Sequence, residues 1–310
     1  KIFFTRLTKR NKKKYYEFYN LLKKTDYYVN NHRLVKTHKY SAENHLSNYS
    51  FLNKHNSILP NNIKNNINKN LSKIVFFSLE INSILFNIHI FLTKSNRENI
   101  IQIKKKIIRL LYFISFFVTN KKLISIDINI ILSNFKKTFP TNNSVLESYN
   151  VNTGITYACK PKGQIIIYRQ EEWFKVLIHE LFHSLCLDMA QIDLTKILKK
   201  KLGNMFNVEE KNFDIVETYS EIWANTINSM IISYEITNNL DDFLKKNELF
   251  NTVEKYFSIF QTIKILNYMN LDYNIITSKK RIYKIKSLQN YKQKTNVFGY
   301  FILKMILMFH

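Results

Sequence analysis

Residues 173–188 read WFKVLIHELFHSLCLD. Trp173, Val176, Leu177, Leu181, Ser184 and Leu185 fall on one face of a helix. His179 and His183 are four residues apart, so a helix stacks both imidazoles on one side, about one turn apart. That geometry suits two ligands of a single tetrahedral zinc ion. Glu180 points to the same side, where it can take a proton from an activated water and later pass it to a leaving amine. Gln170-Glu171-Glu172 opens the helix, with its acidic residues at the positive end of the helix dipole.

The third ligand follows by elimination. Downstream of His183 the only histidine is His310. A three-histidine site of the metzincin kind wants Gly and His three and six residues after the second histidine, where this chain has Cys186 and Met189. Asp188 stands five residues on, one short of the spacing for an Asp ligand. A two-histidine, one-glutamate site remains, with the glutamate on a second helix predicted over Val216–Tyr234. That helix offers Glu217 and Glu221, one turn apart, with Asn225 a further turn on. The run Glu221-Ile222-Trp223-Ala224-Asn225 resembles the ExxA[ND] element that supplies the ligand in several gluzincin families. Glu221 is therefore preferred as the ligand, with Asn225 supporting it. Glu217 is the alternative, and in that case Glu221 orients a ligand histidine.

Working upstream, Leu123–Leu132 alternates Ile124, Ile126, Ile128 and Ile130 with Ser125, Asp127 and Asn129. That period of two predicts a strand with one buried face. Gly154–Lys160 and Gln164–Arg169 are short β-type runs joined by Pro161-Lys162-Gly163, which predicts a hairpin. Gln164–Tyr168 is the candidate sheet edge to which a peptide would add. Ser72–Leu92 and Asn99–Val118 are expected to be helices, and Asn61–Asn70 a linker. Residues 1–60 read as helical pieces and loops. Downstream, Leu240–Met269 is expected to be helical, Thr277–Lys294 is basic, and Val297–Phe309 is a final apolar piece.

The chain of 310 residues is 45% apolar, enough to build a real core. Gly (4) and Pro (3) are scarce, which favours a helix-rich fold with Asn doing much of the turn work. The net charge is +24, and residues 1–70 carry 15 Lys/Arg against 3 Asp/Glu. A basic excess attracts nucleic acid, anionic membrane or an acidic protein. No recognition motif accompanies it, so Lys12-Lys13-Lys14 with Tyr15-Tyr16 reads as a solvated face. His32, His38, His45 and His55 are irregularly spaced in this basic region and read as surface residues. Cys159 and Cys186 cannot make a disulfide framework or a CxxC zinc site, and their small number fits a reducing, intracellular setting. Cys186 reads as structural core. The apolar runs Ile84–Leu92 and Ile107–Val118 are too short for a membrane span, which needs about 20 residues. The chain opens on Lys1 rather than Met, which leaves its true N-terminus open.

From Leu123 to Ser229 the chain resembles the metallopeptidase-like proteins encoded by large nucleocytoplasmic DNA viruses. The resemblance rests on the strand Leu123–Leu132, Phe135-Lys136-Lys137 with Pro140, Asn152-Thr153-Gly154, Tyr168–Val176, the HELFH core, Leu187-Asp188, and Glu217–Ala224. It implies a zincin-like catalytic core and peptidase chemistry, with a Tyr, His or Arg steadying the oxyanion. Tyr219 and Tyr234 lie on the predicted helices, and nothing in the sequence selects one.

The expectation is a mainly helical α+β protein. A basic helical region (1–119) precedes a zincin-like core (120–235), and a C-terminal helical region (236–310) follows. The core has a small sheet, an active-site helix and a glutamate helix, and would hydrolyse peptide bonds with Zn2+. His179, His183 and Glu221 (or Glu217) hold the metal, with Glu180 as base. The alternative is a catalytically silent zincin-like binding or virion structural protein with a basic surface.

Overall fold

A computed structural model describes residues 9–41, 45–53, 58–94, 99–141, 144–188 and 194–309. His55, Met189 and His310 lie outside these residues. The chain is α+β and mainly helical, around one six-stranded mixed sheet.

In chain order the first elements are α1 (Lys9–Asn30), β1 (His38–Ser41), α2 (Asn61–Asn70), β2 (Leu71–Ile81), β3 (Ile84–Thr93), α3 (Ile100–Ser115) and β4 (Ser125–Leu132). Next come α4 (Ser148–Val151), β5 (Gly154–Thr156), β6 (Lys162–Ile167), α5 (Trp173–Ser184), α6 (Leu194–Met205) and α7 (Ile215–Glu235). The last are α8 (Leu240–Tyr268), α9 (Tyr273–Thr277), α10 (Arg281–Asn290), a π-helix (Phe298–Leu303) and α11 (Lys304–Met308).

The strands lie in the order β1-β2-β3-β4-β6-β5. β4 runs parallel to both neighbours, with Ile128 facing Ile88 on one side and Ile165 on the other. The remaining pairs are antiparallel. Parallel strands need a crossover, and α3 supplies the one between β3 and β4. The period of two expected for β4 holds for one face, but the other face is covered as well from Asn129 onward, so the strand is not buried on one side only. Ile126, Ile128 and Ile130 enter the main core with Ile107, Leu111 and Phe113 of α3 and Leu177, Ile178 and Leu181 of α5. Asp127 and Asn129 face the opposite side, where Ile131, Phe91 and Ile166 join a smaller cluster under α2.

Several expectations are corrected. Ser72–Leu92 is a hairpin, not a helix. Val75, Phe77, Leu79 and Ile81 alternate in burial with their neighbours, and Asn82 and Ser83 turn the chain at φ 51° and 63°. Positive φ at two successive turn residues matches the right-handed twist of the strands, and Asn tolerates it best after Gly. Asn61–Asn70 is a helix rather than a linker, because Ile63 and Ile67 lie one turn apart and are fully buried. The first 119 residues are not wholly helical and supply half of the sheet. His32 is buried, with its Nδ1 2.9 Å from the Val29 carbonyl, whereas His38 is exposed. Cys159 and Cys186 form a disulfide, with Cα atoms 5.0 Å apart. It ties the β5–β6 turn to the end of α5, and the pairing removes the ground for reading a reducing compartment. No helix among the described residues is long and apolar enough to cross a membrane.

A second core forms at the C-terminal end. Phe298 packs edge-on between Phe206, Phe213 and Tyr291. A Cβ at Gly299 would stand 2.8 Å from the Asp214 carbonyl and 3.0 Å from Thr218 Oγ1. Only a glycine lets the π-helix lie so close to the start of α7.

Ile128→Ala should destabilise the protein by about 2–5 kcal/mol in chemical denaturation, through the lost contacts and the cavity left behind. The same change at Ile124, 55% exposed just before the strand, should stay within about 0.5 kcal/mol. Equal effects would contradict a central β4.

Candidate metal centre

α5 is buried along nearly its whole length, as the apolar flanks of HELFH require. It packs on the sheet through Leu177, Ile178 and Leu181 and on α7 through Phe182, whose ring lies 6.3 Å from Trp223. The helix begins unusually. Glu172 sits at φ 59° without capping the helix through its side chain. That backbone region disfavours non-glycine residues. Its carboxylate turns to Lys137 Nζ (3.0 Å) and Lys175 Nζ (3.5 Å). Lys175 chiefly, with Lys137, overcomes burial and holds its pKa down at about 2.

The two histidines converge as their spacing requires, with Nε2 of His179 and His183 3.1 Å apart. The carboxylate that joins them is Glu217. Its Oε2 lies 3.0 Å from His179 Nε2 and 3.4 Å from His183 Nε2. Zinc–ligand bonds of about 2.0–2.1 Å in a tetrahedron place ligand atoms about 3.4 Å apart, so the trio has the right size. Glu217 occupies the first turn of α7, where Asp214 caps the helix by accepting from the Glu217 backbone N–H.

Each of the two histidines has a carboxylate beside its other nitrogen. His183 Nδ1 lies 2.7 Å from Asp188 Oδ2, and His179 Nδ1 lies 3.2 Å from Glu221 Oε2. The Asp188 contact is a hydrogen bond, whereas the Glu221 contact is close without hydrogen-bond alignment; a carboxylate behind an imidazole favours one ring orientation and leaves Nε2 free for a metal, were one bound. Of the two glutamates expected on α7, Glu217, the alternative, is the one brought to both Nε2 atoms, and Glu221, the preferred one, lies behind His179 instead. The reason is electrostatic. Lys175 and Lys304 approach Glu221 Oε1 to 2.7 and 3.3 Å, holding that carboxylate beside Nδ1. Asn225 is buried one turn further on, and its side chain makes no hydrogen bond, so it supports neither glutamate.

The charges respond to these neighbours. Burial alone would lower the histidine pKa values. Glu217 and Glu221 instead raise His179 to about 9, and Asp188 and Glu217 raise His183 to about 10. Burial opposes ionisation of Glu217 and Glu221, yet their cationic partners hold both pKa values well below the usual carboxylate range. Glu180 differs. Burial dominates there and pushes its pKa up to about 7.

Glu180 lies against β5. A Cβ on Gly154 would come within 2.9 Å of its Oε1. Both line a cleft of about 470 Å³ with His179, Glu221, Tyr300 and Lys304. The expected edge is corrected here as well. Gln164–Tyr168 supplies β6, which is paired on both sides, and β5 is the outer strand beside the cleft.

Sequence reasoning missed three residues. Asp188 was set aside as a ligand, yet it is the partner of His183. Tyr300 and Lys304 come from the C-terminal segment, 121 and 83 positions from His179 and Glu221, the groups they approach. The Tyr300 ring lies 5.8 Å from that of His179, and burial followed by Glu217 keeps its hydroxyl protonated. Only the one-turn spacing of these two residues hinted at a shared face. Tyr219 packs against Phe182 and Trp223, and Tyr234 bonds Asp26, so neither is the cleft tyrosine. Comparisons with protein-family models, curated proteins and solved structures return no match.

Glu217→Gln should weaken zinc binding more than Glu221→Gln, whose loss of an orienting partner should cost about 10–100-fold. Chelator competition measures both, and the reverse order would restore Glu221 as ligand. Zinc must also displace protons from His179 and His183. Its apparent affinity should therefore keep rising with pH until the pH passes the pKa values of about 9 and about 10, with proton release near neutrality detectable by calorimetry in buffers of different ionisation enthalpy. Binding without proton release would contradict the two-imidazole site.

Proposed function

We propose that this protein is a zinc-dependent metallopeptidase. One observation carries the reading. Two imidazole nitrogens and one carboxylate oxygen converge at tetrahedral ligand spacing in a buried site, and each imidazole is backed by a further carboxylate. A zinc ion held by His179, His183 and Glu217 would polarise a carbonyl and bring the pKa of a bound water toward ~7.

The chain's own groups supply the rest. Glu180 has a pKa of about 7, matched to taking a proton near neutrality and giving it back. It takes the proton of the attacking water and delivers it to the amine nitrogen as the amide bond breaks. Gly154 leaves room for that carboxyl group, which a methyl group would displace. The Tyr300 hydroxyl stays protonated and is the donor assigned to the developing oxyanion. Lys175 and Lys304 act at one remove, since they hold Glu221 behind His179. β5, the outer strand along the cleft, offers backbone groups to an extended peptide, which would lie as a seventh strand. The zincin-like core implied by the sequence fits this layout of outer strand, HExxH helix and glutamate helix. A peptide or protein is the corresponding substrate.

Cleavage of a denatured test protein measures the activity. Glu180→Gln should reduce it by about 10²–10⁴-fold while zinc content stays at one per chain. Tyr300→Phe should lower kcat by about 10²–10³-fold with zinc retained. Full cleavage by Glu180→Gln would overturn the assignment of the base, and an inactive wild-type protein that still binds zinc would favour a silent binding protein.

A further inference from the structure

Between Asn247 and Ile263 α8 is built with its faces exchanged, while Phe243, Ile265 and Leu266 towards its ends are buried in the ordinary way. Helices on a protein surface bury their apolar stripe and expose polar residues. Here the buried side chains include Asn247, Thr252, Ser258 and Thr262. The outer face presents Leu249, Val253, Tyr256, Phe257, Phe260 and Ile263, each 38–58% exposed. Leu307 and Phe309 of the C-terminal segment extend the patch, the Phe309 ring lying 6.5 Å from that of Tyr256. Single exposed apolar residues are ordinary, but a contiguous apolar stripe running along a helix marks a binding surface.

The spacing selects the occupant. Leu249, Val253, Tyr256, Phe260 and Ile263 are separated by four, three, four and three residues. That is the repeat with which two helices mesh along a shared seam at a shallow angle. Charge points the same way. The chain carries +24, yet within α8 Asp241, Asp242, Glu248 and Glu254 balance Lys245, Lys246, Lys255 and Lys264. A second α8 can approach without the repulsion that opposes contact between most surfaces of two such chains. A neutral helix also lacks the excess of Lys/Arg that draws amphipathic helices to anionic membrane. Area agrees. With aromatic side chains of about 200 Å² and aliphatic ones somewhat smaller, the six residues expose roughly 500 Å². That is close to the apolar share of the about 800 Å² per partner in a standard interface.

We infer that the protein is a homodimer whose two-fold interface is the outer face of α8, with Tyr256 at its centre. An antiparallel arrangement sets Leu249 against Ile263 of the second copy and Val253 against Phe260. Phe257 and Lys264 also line the cleft, so the interface runs along the cleft rim. The inference does not depend on zinc or on peptidase activity.

Sedimentation equilibrium of the full chain tests it. The wild type should be a dimer at about 10 μM, a concentration at which a standard-size interface is occupied. Phe260→Glu and Val253→Glu should each raise the dimer dissociation constant at least tenfold, with unchanged circular dichroism. Ile282→Glu, at a still more exposed apolar residue on α10, should leave it unchanged. Should the glutamate variants misfold, Tyr256→Cys should give a covalent dimer on mild oxidation, where Ile282→Cys does not. A monomeric wild type, or a dimer indifferent to both glutamate variants, overturns the proposal. So does a monomer that binds phosphatidylcholine vesicles through this face.

Discussion

Four carboxyl groups and two imidazoles share a volume almost closed to water, and the rest of the molecule is arranged around that constraint. Charges removed from water are tolerated only when each finds a partner. Glu221 has Lys175 and Lys304, Asp188 has His183, and Glu217 has the two facing imidazole nitrogens. Glu180 has no such direct cation among the described residues, and burial leaves it able to carry a proton near neutrality. One residue type thus takes distinct roles through its surroundings alone, as acid–base sites require. A dication at the centre would take over the charge of the two imidazole protons it displaces.

That arrangement explains the reach of the site across the chain. β5 must pass close to Glu180, and Gly154 permits it. The C-terminal segment must lie on the start of α7, and Gly299 permits that. Phe298, wedged among Phe206, Phe213 and Tyr291, then fixes Tyr300 and Lys304 toward the cleft. The last part of the chain is therefore a wall of the site, tied by packing to a helix some eighty residues earlier.

What could be read in advance follows the range of the interactions involved. The spacing of His179 and His183 is local and fixes their convergence once the helix forms. The alternation in β4 is equally local. The choice between Glu217 and Glu221 is not, because it depends on how α7 crosses α5 and on Lys304, distant in sequence. The hairpin of β2 and β3 was misread because both strands carry apolar residues on two faces, where periodicity is weak. Its clearer signal was Asn82-Ser83 between alternating runs. The spacing of Asp188 speaks only to its fitness as a ligand and is silent on its hydrogen bond to His183 Nδ1.

Zinc-edge anomalous diffraction from crystals grown with zinc tests the central claim most directly. One peak is expected within bonding distance of Nε2 of His179, Nε2 of His183 and a Glu217 oxygen, with Glu221 on the far side of the His179 ring. A peak on Glu221 in place of Glu217 would contradict the ligand assignment, and no peak at these residues would contradict the metal centre itself.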